Sequence, residues 1–170
     1  MQWPGTHPGL YQPDNAKDSC GFGLIAHIHG QPSHRLVETA CKALDRMTHR
    51  GAIAVDGKTG DGCGVLMAMP VAFFRTVAAE AGIWLGENFA VGMVFLSRNP
   101  EQAERTRALL ARHLQNEMLE VAGWRDVPTD ESVLGQLAAE SLPLIQQVFV
   151  NAPPGWSEVD IERRLFVARR

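Results

Sequence analysis

Asp18-Ser19-Cys20-Gly21-Phe22-Gly23-Leu24-Ile25-Ala26 sets a single cysteine at the head of a short apolar run. The glycines at 21 and 23 let backbone approach closely around it. A cysteine thiol has a pKa of about 8.5, so only a few per cent is thiolate at neutral pH and a nucleophile needs a base. If the chain were cut between Ser19 and Cys20, the new α-amino group, with a pKa of about 7.7–8.0, would sit on the same residue. That amine could take the thiol proton directly or through one water. As translated, Cys20 has nineteen residues before it. The reading therefore carries a condition: residues 1–19 must be a removable leader. Without the cut, composition alone favours a structural thiol.

Working outward, residues 1–19 are rich in Pro and Gly and lack periodicity, as an extended leader would. Pro4, Pro8, Pro13 and Asp14 interrupt any apolar core, so the segment is not a secretory signal. On the other side, Phe22 to Ile28 predicts a strand whose nearly continuous apolarity implies burial on both faces, and hence a layered fold. Gly30-Gln31-Pro32 ends it. Ser33 can cap a helix with Leu36, Val37, Ala40, Cys41, Leu44 and Met47 along one stripe, and Gly51 stands where a C-terminal cap belongs. Cys41, inside that stripe, is expected to be buried. After a glycine-rich loop from Asp56 to Gly62, Val65 to Met69 predicts a strand stopped by Pro70. Residues 71–81 predict a helix, and Phe89 to Leu96 a buried strand.

Asn99-Pro100 opens a long amphipathic helix to about Leu119, with Ala103, Leu109, Leu110, Leu114 and Met118 expected inward. A strand near Gly123–Val127, a helix over Val133–Ala139, a strand from Leu144 to Val150 and a helix from Ser157 to Val167 complete the pattern. Strands and helices do not alternate strictly as βαβ. An α+β layered sandwich fits this order.

At 170 residues, the chain has the length of one domain. Its 45% hydrophobic and 21% charged content is that of an ordinary globular protein. A net charge of −3 argues against nucleic acid or an anionic membrane as partner. The longest apolar stretch, Val65 to Phe74, holds Pro70 and is too short to span a bilayer. Cys20, Cys41 and Cys63 are odd in number and widely spaced, which is neither a disulfide framework nor a zinc knuckle. A reducing, cytoplasmic home is expected.

Other candidate sites compete with Cys20. Gly57-Lys58-Thr59 invites a phosphate-loop reading, but that motif needs four residues between its first Gly and Gly-Lys-[Ser/Thr]. Here five separate Gly51 from Gly57, and a helix precedes where a strand should. His27 and His29 would share a strand face, but without an acidic or thiol partner they read as polar residues at a strand end, with no metal assigned. His34 lies near the start of the predicted helix. His49 and Arg50 in its last turn complement the helix dipole. Arg50 also leads into the glycine-rich loop, where its fixed donor fork could organise carboxylates or a chain end. On the residues alone, functional and structural roles for Arg50 both stay open. Cys63, between Gly62 and Gly64, shows no base partner and is expected to pack.

Together these segments resemble a known family. Leu10-Tyr11-Gln12-Pro13, Asp18 to Gly23, Pro32-Ser33-His34, Met47-Thr48-His49-Arg50-Gly51-Ala52 and Asp56-Gly57-Lys58-Thr59-Gly60-Asp61-Gly62-Cys63-Gly64 are similar to the amino end of the bacterial glutamate synthase large subunit. His-Arg-Gly occurs across class II glutamine amidotransferases, and the Asp-Gly-Lys-Thr-Gly-Asp-Gly continuation looks like glutamate synthase in particular. The resemblance implies an N-terminal nucleophile hydrolase fold, a four-layer αββα sandwich. It also implies removal of residues 1–19, leaving 20–170 as the first part of a type-2 glutamine amidotransferase domain. Cys20 would attack the side-chain amide of L-glutamine, form a glutamyl thioester and release ammonia for glutamate synthesis from 2-oxoglutarate. Arg50 and Gly51 would border the nucleophile, and Asp61 and Gly62 would close the loop behind it. FMN and an iron–sulfur cluster are implied for the full-length family protein and not for this segment. Implied partners are the rest of the large subunit and a small NADPH-oxidising subunit.

One departure stands against full activity. The family's oxyanion hole is an Asn-Gly pair, whereas Asn99 precedes Pro, Asn116 precedes Glu and Asn151 precedes Ala. Losing such a donor typically costs about 10²–10³ in turnover. The competing expectation is therefore a catalytically inactive fragment or interaction module with an open sheet edge.

Overall fold

The computed structural model describes residues 21–47, 53–60 and 62–170. The chain divides into two compact units, Met1–Leu66 and Met67–Arg170.

The second unit is built on one antiparallel sheet. Its elements, in chain order, are α2 (Val71–Glu80), β1 (Phe89–Leu96), α3 (Pro100–Asn116), β2 (Glu120–Asp126), a 3-10 turn (Glu131–Val133), α4 (Gln136–Glu140), β3 (Leu144–Asn151) and α5 (Glu158–Ala168). The last strand is the central one: the order is β1-β3-β2, with β3 antiparallel to both neighbours. That position explains its composition. Val148, Phe149 and Val150 are all buried, because a central strand covered on both faces must be apolar on both.

Helices cover the two faces unequally. On one face, α3 and α5 bring Leu114, Leu165 and Ala168 onto Val94, Val121, Trp124, Val148 and Val150. On the other, α2 and the segment after it bring Phe74, Val77, Ala78, Ile83 and Leu85 onto Val91, Ala122 and Phe149. Phe74 meets Phe149 edge to face, with ring centroids 6.2 Å apart. The arrangement is α+β, as the element order predicts.

The helix ends follow local chemistry. Asn99 caps α3, its side-chain oxygen accepting from the Gln102 amide at 3.1 Å. Both α2 and α3 stop in the same way. After α2, the amides of Gly82 and Ile83 bond back to Ala79 and Ala78, and Gly82 has φ +69°. After α3, Met118 and Leu119 bond to Gln115 and Leu114, and Met118 takes the left-handed turn with φ +61°. Met118 is therefore outside the helix and 58% exposed, and Leu109, off the line of Ala103, Leu110 and Leu114, is 48% exposed. Both differ from the inward placement that periodicity predicts.

The first unit contains α1 (His34–Asp45), which begins after Ser33 as predicted but ends earlier, with Arg46 as its C-cap. Gly51, the predicted cap, lies outside the described residues. Ile53 and Gly60 form an isolated antiparallel bridge. None of the described residues from 21 to 66 is buried. The two expected strands, Phe22–Ile28 and Val65–Met69, are not strands. Apolar runs mark segments suited to burial, but a strand also needs a neighbour to complete its ladder, and no described strand lies beside either run. Cys41, expected inside, is exposed, because the stripe on α1 is only half-covered.

Candidate active site

Of the residues assigned to the site, Cys20, Arg50, Gly51 and Asp61 lie outside the described residues. Gly62 is described: a Cβ built on it would meet nothing within 4 Å. What the structure does show is the polypeptide that carries these positions.

Just after Cys20, residues 21–26 run as exposed irregular chain into a turn. Gly30 closes this turn with φ +65° and an amide bond to the His27 carbonyl at 2.9 Å. His27 Nδ1 accepts from the amides of His29 and Gln31, both at 3.3 Å. That ring nitrogen is engaged with its own turn. No group of three or more His, Cys, Asp or Glu suited to a metal occurs among the described residues.

The glycine-rich loop is organised by one carboxylate. Asp56 Oδ1 accepts from the amides of Lys58 and Thr59 at 3.1 and 2.8 Å, and Oδ2 accepts from the Thr59 hydroxyl at 2.5 Å. Gly57 supplies the left-handed residue of the turn with φ +69°. The Ala54 amide donates to the Thr59 carbonyl at 2.7 Å. Chain entering and leaving the loop is thus drawn together at Ile53 and Gly60. The Lys58 and Thr59 amides, which a phosphate-binding loop would turn towards its ligand, are held by Asp56.

Cys63, expected to pack, is a free, exposed thiol in irregular chain, outside the helices and strands among the described residues. The two cavities described both belong to the second unit. One, of about 270 Å³, is lined by Trp84, Glu87, Met118, Glu120, Asn151 and neighbouring residues. The other, of about 370 Å³, holds Arg164, which is paired with Glu117 at 2.9 Å and lies 5.7 Å over the Trp156 ring. Neither is lined by a cysteine or histidine, so neither offers a nucleophile–base pair.

Residues that sequence reasoning passed over do organise the second unit. Asn151 Oδ1 accepts from the Gly86 amide at 3.0 Å and its Nδ2 donates to the Trp84 carbonyl at 3.3 Å. Arg75 donates to the carbonyls of Leu85, Gly86 and Glu87 and lies 4.8 Å over the Phe89 ring. These contacts pin the approach to β1. No sequence pattern marks them, since their partners are backbone groups up to 67 positions away.

The chain belongs to the class-II glutamine amidotransferases, the family that matches residues 20–170. The matched span opens on Cys20. Among curated proteins, the chain is 40% identical to ferredoxin-dependent glutamate synthase 2 of Synechocystis, over 96% of this chain and 11% of that protein. It is 36% identical to the large chain of the NADPH glutamate synthase of Bacillus subtilis, over 95% of this chain and 11% of that one. With the NADH glutamate synthase of Schizosaccharomyces pombe the figures are 37%, 99% and 8%. The chain thus spans about a tenth of the length of these relatives.

Proposed function

We propose that the chain is the glutamine-hydrolysing part of a glutamate synthase and that Cys20 is its nucleophile once residues 1–19 are removed. The observation that carries this reading is the family match over residues 20–170, which begins at the cysteine whose chemistry requires a free amino group. In the proposed reaction, the α-amino group of Cys20 accepts the thiol proton and sulfur attacks the side-chain amide carbon of glutamine. The amide nitrogen leaves as ammonia after taking that proton. Water then cleaves the thioester to release glutamate and restore the thiol. Arg50 and Gly51 border the nucleophile, and Asp61 and Gly62 close behind it. The hairpin joined at Ile53 and Gly60 lies in the chain between these two pairs. The ammonia would aminate 2-oxoglutarate elsewhere in the whole protein.

The finer fold, a four-layer αββα sandwich, accords with a sheet whose second face is only partly covered by α2. FMN and an iron–sulfur cluster belong to the whole enzyme in this proposal. The described residues do not fit an iron–sulfur cluster: Cys41 and Cys63 are free, and no suitable group of ligating side chains comes together. Relatives are named for ferredoxin, NADPH and NADH; an NADPH-oxidising small subunit is the partner we propose. No helix among the described residues is long and apolar enough to cross a membrane, and a cytoplasmic location is proposed.

Labelling by diazo-oxonorleucine in a chain extending beyond Arg170 tests the assignment. We expect one label on an N-terminal Cys20, competed by glutamine and absent in Cys20→Ala. Persistent lack of label, or label elsewhere, overturns it. A second reading, an inactive fragment or interaction module, is favoured by the absence of buried residues among those described from 21 to 66. Turnover by the 170-residue chain alone would count against that reading.

A further inference from the structure

We draw no further inference here: the strongest candidate, the half of the sheet face left uncovered by α2, where Met93 and Phe95 stand exposed beside the Arg125–Gln147 hydrogen bond, is an unpartnered apolar surface and nothing in the structure shows what covers it.

Discussion

Gly123 shows how tightly one residue can be bound to its surroundings. It follows the irregularity in β2, where the register shifts between Val121 and Gly123, and it faces Ile83. A Cβ added there would lie 2.7 Å from Ile83 Cγ1 and 2.9 Å from Cδ1. Gly123→Ala should therefore destabilise the protein by about 1–3 kcal/mol through overpacking. Urea denaturation of Gly123→Ala, Ile83→Ala and the double variant checks this. The double variant should lose less than the sum of the singles, because removing Ile83 relieves the crowding. Additive losses would show that the contact is not what keeps residue 123 a glycine. Asn151 makes the opposite point, since its value lies in bonds made. Asn151→Ala leaves the Gly86 amide and Trp84 carbonyl without their partner, and a loss of about 1–3 kcal/mol in the same assay is expected.

Helix ends are the features of this chain most open to local reading. Asn99-Pro100 and Ser157 each predict a start that the structure places within a residue. The end of α3 was not legible, because Met118 occupies a left-handed position usually given to glycine. Met118→Gly should raise stability by up to about 1 kcal/mol, removing the steric cost of a side chain at positive φ, less the entropy glycine loses on folding. Thermal unfolding would show it, and a lowered midpoint would refute it. At α5, the Ser157 hydroxyl donates to Asp160 at 2.6 Å and accepts from its amide at 3.2 Å. The hydroxyl bond, assisted by Arg163 and Arg164 and opposed by burial, holds the Asp160 carboxyl below the ordinary carboxylate range. A depressed folded-state pKa stabilises above the unfolded value and loses that contribution as pH falls through the folded one. In an NMR titration, Asp160 should have its midpoint below that of an unperturbed aspartate and move up towards it in Ser157→Ala. At neutral pH that variant should also lose about 0.5–2 kcal/mol for the missing cap.

For the molecule as a whole, the unequal burial of its two units has a measurable consequence. Phe22 is 92% exposed and Trp84 76%, and Phe95 on the sheet face is 65% exposed. Apolar surface of this kind drives association. Sedimentation velocity on the 170-residue chain should show concentration-dependent oligomers; a compact monomer at all concentrations would contradict this. Amide exchange should be slowest in β3, which is paired on both sides. The chain's own order of residues determined the family and the second unit's elements, since helical and strand periods and caps are properties of neighbouring residues. Tertiary structure alone decided that β3 is central, that Asn151 and Arg75 secure the segment before β1, and that the apolar runs at 22–28 and 65–69 are not strands. Each of these depends on a partner distant in sequence, and local pattern carries no record of whether that partner is present.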